Sequence, residues 1–121
     1  MLKTVPELVA QARANLRCID AATATAEVNE NQGTIVDVRE LIEVEQLNAP
    51  HSINIPRGIL EMKITEVVPD ENHPLYLHCA TGGRATLAAE QLLRLGYRNV
   101  SVITCPIDTV RARQQEAMSQ G

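Results

Sequence analysis

Apolar residues at helical spacing alternate along this chain with short β-branched runs. Leu8, Val9, Ala12 and Leu16 share one helical face, and Thr4 with Glu7 fits a capping box, predicting a first helix to about Leu16. Arg17-Cys18-Ile19 follows as a short strand, and Asp20 is placed to cap a second helix that ends before Gly33. Thr34-Ile35-Val36-Asp37-Val38 reads as a buried strand, and Leu41, Val44 and Leu47 mark an amphipathic helix after it. Ser52 to Pro56 alternates as a strand closed by proline. Ile59, Leu60, Ile64 and Val67 predict a further helix before the Pro69-Asp70-Glu71-Asn72 loop, and Leu75 to His78 is another strand. From Arg84 the positions Ala85, Ala88, Ala89 and Leu92 give a helix with a small-residue face, closed by Gly96. Val100 to Thr104 is the last strand, and a polar helix runs from about Ile107. Such alternation implies an α/β domain: a mostly parallel sheet of about five strands with helices on both faces.

Composition narrows the function. A chain of 121 residues fits one core, and 45% hydrophobic content excludes a disordered chain. Only 2% is aromatic, with no Trp or Phe, so the core is aliphatic and no stacking platform for single-stranded nucleic acid exists. The net charge of -4 argues the same way, because phosphate neutralisation needs clustered Lys and Arg. No apolar run resembles a signal-peptide core or a membrane span of about 20 residues, so a cytoplasmic protein with no membrane partner is expected. Three cysteines without metal-ligand spacing read as reduced thiols, and three scattered histidines do not supply a metal site.

The stretch LYLHCATGGR, Leu75 to Arg84, carries the chemistry. Ligands of open parallel sheets bind beyond the carboxyl ends of the strands, which is where Cys79 falls. Ala80, Thr81, Gly82 and Gly83 would curl around its thiol, glycines permitting the turns that aim N–H groups inward. The positive end of the next helix and the guanidinium of Arg84 add to a niche that stabilises a thiolate. Plain packing of a strand-end thiol is the structural alternative.

HCATGGR followed by an alanine-rich helix resembles the active-site loop of the single-domain rhodaneses, the thiosulfate sulfurtransferase family. IVDVRE (Ile35–Glu40), APHSINIPRGILEMKI (Ala49–Ile64) and LRLGYRNVSVI (Leu93–Ile103) are similar to other family segments in the right order. The likeness covers about Ile19 to Val110. It implies a rhodanese-like domain over residues 17–121, with residues 1–16 as a helical extension packed on it. It also implies a Cys79 persulfide that moves sulfane sulfur from thiosulfate, polysulfide or a persulfide to cyanide, a thiol or a protein thiol. The expected form is a monomer or homodimer. A regulatory or sulfur-carrying module with weak turnover is the alternative. A cysteine phosphatase or arsenate reductase is a third reading. Those phosphatases place five residues between nucleophile and arginine, whereas four intervene here, a tighter ring suited to a single outer sulfur.

Two departures from the family matter. Ala80 stands where thiosulfate-preferring members carry a cation, which favours a polysulfide, persulfide or protein donor. Cys105-Pro106 replaces the usual pair of glycines and Val110 the usual tryptophan, making Cys105 a candidate relay thiol weighed against packing at a turn. Cys18 is expected to be packing, and His78, facing away from Cys79 on its strand, a core histidine rather than a base. His51 and His73 are expected to face solvent. Asp37 and Arg39 are expected to brace neighbouring loops, and Glu40, Glu43 and Glu45 to form a solvated helix face.

Overall fold

The computed structural model describes the backbone of residues 1–120 and the side chains of residues 1–119. In chain order the elements are α1 (Val5–Arg13), β1 (Arg17–Ile19), α2 (Ala21–Asn31), β2 (Thr34–Asp37), α3 (Leu41–Gln46) and β3 (Ser52–Asn54). A 3-10 turn (Arg57–Ile59) leads into α4 (Leu60–Val67), followed by β4 (Leu75–His78), α5 (Gly83–Leu95), β5 (Val100–Ile103) and α6 (Ile107–Gln120). The five strands form one sheet in the order β1-β5-β4-β2-β3, and every pairing is parallel. β4 is therefore central, with β5 and β2 beside it.

Local chemistry sets the boundaries. Thr4 Oγ1 accepts the Glu7 N–H at 3.2 Å and Asp20 Oδ1 the Thr23 N–H at 2.8 Å, each satisfying a donor orphaned at a helix start. Gln32 closes α2 in the left-handed region (φ 61°), and Gly96 closes α5 (φ 116°). α1 ends at Arg13 rather than near Leu16, because the N–H groups of Asn15 and Leu16 drop into tighter i to i−3 bonds on Ala12 and Arg13.

β2, β4 and β5 are shielded on both faces, as a parallel sheet requires, while the edge strands β1 and β3 are not. On one face, Val36, Leu75, Leu77 and Val102 pack with Leu60 and Ile64 of α4 and Ala85, Ala88, Ala89 and Leu92 of α5. The alanines keep α5 close to the sheet, and α1 packs on α5 with Ala12 buried. On the other face, Ile35, Tyr76 and Ile103 pack with Ala21 and Ala24 of α2 and Val110 of α6. Truncating a fully buried leucine such as Leu77 to alanine costs about 2–5 kcal/mol. Among the described residues no helix is long and apolar enough to cross a membrane.

Candidate active site

Alternation along β4 decides which side each residue serves. Leu75, Leu77 and Cys79 belong to the α4/α5 face, whereas Tyr76 belongs to the α2/α6 face. Cys79 leaves the carboxyl end of the central strand and is 1% exposed. The chain then turns sharply at Gly82, whose φ of +101° lies where side-chain-bearing residues are strained. That turn aims the Gly82 N–H at Cys79 Sγ, 3.1 Å away. The first N–H groups of α5 have no carbonyl one turn back, and the sulfur takes one of them, from Ala85 at 3.4 Å. Two backbone donors and a helix N-terminus thus converge on one sulfur, an arrangement that favours an anion there. The Gly82 carbonyl accepts the Thr86 N–H at 3.0 Å and its hydroxyl at 2.7 Å, and Ile107 N–H donates to the Ala80 carbonyl at 3.0 Å. Ala80 and Gly83 are half-buried and Thr81 is exposed, so the loop's outer rim faces solvent.

Arg84, at the start of α5, is engaged by a side chain of α3. Its two Nη atoms donate to Glu43 Oε2 at 2.7 Å and Oε1 at 2.9 Å, a bidentate pair with the carboxylate as its partner rather than an incoming anion. Glu43 is correspondingly not part of a solvated helix face: it is half-buried and also accepts the Glu40 N–H at 2.8 Å. The guanidinium, assisted by that N–H, pulls the Glu43 carboxyl down to about 2, and the carboxylate raises Arg84 in turn.

Asp37 and Arg39 form a buried pair at the end of β2. Asp37 Oδ1 accepts Arg39 Nε at 3.0 Å and Oδ2 accepts Nη2 at 2.8 Å. Arg39 also donates to the Leu47 carbonyl at 2.7 Å, so a cation holds the carbonyl end of α3. Asn54 Nδ2 bridges the carbonyls of Asp37 and Arg39 at 2.9 Å each. The pair ties β2, β3 and α3 together beside the loop, and α3 carries Glu43 to Arg84.

On the opposite face, His78 is fully buried, with Nε2 2.7 Å from Ser52 Oγ. Gln114 Nε2 donates to the same hydroxyl at 2.9 Å, leaving the Ser52 proton for His78 and making Nε2 the acceptor of a neutral imidazole. Burial drives the His78 pKa to about 4, which keeps the ring uncharged. His78 Nδ1 and Gln114 Oε1 have no hydrogen-bond partner.

Cys105 follows β5 at the same sheet edge as Cys79, yet its Sγ accepts the Ala21 N–H at 3.3 Å and packs with the α2/α6 cluster. The structure therefore turns this thiol into the other helical layer. Two further expectations need correction. Cys18 is exposed, because β1 is an edge strand with its outer positions uncovered. His73 is half-buried and pairs through Nε2 with Thr34 Oγ1 at 2.8 Å; His51 is exposed as expected. An open groove of about 980 Å³ runs between α2 and α6, lined by Val28, Ile35, His51 and Gln114, but it includes none of the Cys79 loop. Among the described residues no cluster of His, Cys, Asp and Glu could hold a metal. The sequence reading missed Glu43, whose place three residues after Glu40 at a helix start was its one visible signal, and Thr86, which gave none.

Sheet order, thiol position and loop geometry define an α/β domain with a backbone-cradled thiol at its carboxyl edge, and comparison names its family. The chain belongs to the rhodanese-like family: the Rhodanese-like domain model matches residues 20–108. Thiosulfate sulfurtransferase PspE of Escherichia coli (strain K12) is 32% identical over 65 residues, covering 54% of this chain and 62% of that protein. YrkF of Bacillus subtilis (strain 168), named as a candidate sulfur carrier protein, is 35% identical over 66 residues, 54% of this chain and 35% of that protein. The chain thus spans less than two thirds of the length of either relative. RPA3614 of Rhodopseudomonas palustris CGA009, a protein of unknown function whose name suggests a tyrosine phosphatase, superposes with a TM-score of 0.81. It is 23% identical, covering 93% of this chain and 92% of that one, a likeness of fold alone.

Proposed function

We propose that this protein transfers sulfane sulfur through a persulfide on Cys79. The observation that carries the reading is the convergence of the Gly82 and Ala85 N–H groups on Cys79 Sγ inside a four-residue loop. The same donors that favour a thiolate would favour the terminal sulfur anion of a persulfide. In the first half-reaction the Cys79 thiolate attacks the outer sulfur of the donor. With thiosulfate, the donor's S–S bond breaks and sulfite leaves with the electron pair. With a polysulfide, a chain shorter by one sulfur leaves. In the second half-reaction an acceptor thiolate or cyanide attacks the outer sulfur, and Cys79 leaves as thiolate. No net oxidation occurs and no metal or organic cofactor takes part.

Donor choice follows from charge. Position 80 is alanine and Arg84 is paired with Glu43, so neither of these two positions offers an unpaired cation to a dianion. A persulfide-bearing thiol, or a polysulfide whose two charges lie at the ends of a longer chain, is penalised less than compact thiosulfate and is the preferred donor, with a small thiol or protein thiol the acceptor. The burial of Cys79 favours a second reading, a sulfur carrier that loads readily and turns over slowly on small substrates. Phosphate transfer is disfavoured by the short ring, and the likeness to RPA3614 concerns fold alone.

The test is intact mass spectrometry after exposure to polysulfide and, separately, to thiosulfate, with Cys79→Ser alongside. Gain of one sulfur, removed by cyanide and absent in the variant, is the expected result, with polysulfide the faster donor. No gain from either donor would refute the persulfide reading. Saturable turnover with an added thiol then separates enzyme from carrier.

A further inference from the structure

We infer that Arg13, at the end of α1, is a positioning residue for the Cys79 loop. It lies outside the residues that match the family model, 20–108, and position 13 carried no signal in the sequence beyond a basic residue in a last helical turn. Its Nε donates to Thr86 Oγ1 at 3.1 Å. Thr86 is fully buried, and its hydroxyl donates onward to the Gly82 carbonyl at 2.7 Å. The N–H of Gly82 meets Cys79 Sγ at 3.1 Å. Three hydrogen bonds in series therefore run from a guanidinium on α1 to the reactive sulfur.

The same side chain also limits the loop sterically. A Cβ built on Gly82 would lie 2.8 Å from Arg13 Nη2 and 3.4 Å from the Thr104 carbonyl oxygen. Gly82 is thus enclosed between α1 and the segment after β5, and its left-handed turn has little room to relax. Neighbouring Val9 Cγ2 approaches Gly83 to 3.9 Å, measured from a Cβ built there, so α1 covers the loop over one full turn. Among the described residues no carboxylate pairs with Arg13, whereas Arg84 is neutralised by Glu43. Thr86 has one hydroxyl proton, and Arg13, which has donors alone, binds its oxygen without competing for that proton, leaving it to Gly82. A charged donor also polarises the hydroxyl it binds and strengthens the bond beyond it. α1 becomes part of the active-site scaffold rather than an appendage.

This inference rests on the sulfur-transfer reading for one of its two measurements only. The first is hydrogen exchange of the Gly82 amide, followed by NMR on ¹⁵N-labelled full chain, which reads loop geometry whatever the chemistry. The second is the rate of sulfur gain from polysulfide. In Arg13→Met the Gly82 amide is expected to exchange about fivefold to tenfold faster, the factor set by one hydrogen bond, with Ala24 in α2 unchanged. Sulfur loading should slow by a similar factor. Arg13→Lys keeps a charged donor and should return both rates to within about twofold of the parent. Thr86→Val cuts the series at its middle, so the double variant with Arg13→Met should be no worse than Thr86→Val alone. Parent-like Gly82 exchange in a folded Arg13→Met protein overturns the inference, as does Lys no better than Met, or slowing that multiplies in the double variant. If the parent itself gains no sulfur, the functional reading fails while the exchange comparison still decides the role of Arg13.

Discussion

Cys79 and Cys105 leave the carboxyl ends of adjacent parallel strands, each sulfur accepts at least one backbone N–H, and each N–H belongs to the start of a helix or the turn before it. Their surroundings differ in two ways. Cys79 receives two donors from the loop that it begins, and that loop is bent by a left-handed glycine. Cys105 receives one donor from a helix far away in sequence, and Pro106 follows it in place of a loop. A helix start near a thiol is common to both; what separates them is a short self-wrapping turn that makes the sulfur the focus of its own backbone. On the proposed sulfur-transfer reading, reactivity belongs to the turn, and strand-end position alone does not confer it.

The largest effect expected from this contrast is in sulfur loading. Cys79→Ser should abolish it, whereas Cys105→Ser should load within about twofold of the parent, since only one weak sulfur hydrogen bond is lost. Equal losses in the two variants, measured by intact mass after polysulfide, would return the relay role to Cys105.

The turn itself can be broken while both thiols remain. Gly82→Ala places a Cβ on a left-handed residue and 2.8 Å from Arg13 Nη2. Loading should fall about tenfold to a hundredfold and stability by about 1–3 kcal/mol, in line with the cost of such backbone strain. Thermal unfolding and loading of the same sample give both numbers. Parent-like loading with an unstrained fold would mean that the turn does not aim the Gly82 N–H.

How far the sequence carried this picture depended on how local each feature is. The strands, the helices, a mostly parallel sheet and the position of the Cys79 loop follow from periodicity, turn residues and contiguous motifs, and these were legible; the order of the strands was not. Glu43 and Arg84 are 41 positions apart, and Arg13 and Thr86 are 73 apart. Both pairs exist only because the sheet brings distant segments to one edge, and a surface-like glutamate or arginine gives no advance sign of its partner. Cys18 was hard for the opposite reason. A thiol in an apolar segment looks like packing in sequence, and exposure is set by which strand the fold leaves at the edge.

The two faces of β4 also differ in how they should respond to acid. His78, on the face away from Cys79, has its pKa lowered from 6.5 to about 4, with burial the leading cause. The unfolded chain therefore binds the proton first as pH falls. The destabilisation expected from His78 alone is absent above about pH 6.5, grows through the window between about 6.5 and 4, and levels off below, at about 3 kcal/mol in all. Urea unfolding across that range measures the slope. His78→Gln keeps an acceptor for Ser52 without titrating, and it should flatten the slope. An unchanged slope would place the acid sensitivity elsewhere.

The smallest expected effect tests how far Glu43 masks the charge of Arg84 beside the Cys79 loop. Glu43 holds Arg84 at the start of α5, and both side chains are about one third exposed, so the ion pair contributes no more than about 1 kcal/mol after solvent screening. The Glu43 carboxyl is held near 2, below its ordinary value of 4.5. Its contribution is therefore complete above about pH 4.5 and is lost only as pH falls toward 2, well clear of neutral assays. Glu43→Gln should unfold within about 1 kcal/mol of the parent at neutral pH yet leave Arg84 as an unpaired cation beside the loop. Loading from thiosulfate, whose two charges are compact, should then rise about twofold to fivefold relative to polysulfide, whose charges lie at the ends of its chain. A donor ratio unmoved by the substitution would mean that Arg84 does not face the sulfur donor even when released, and that charge elsewhere sets the preference.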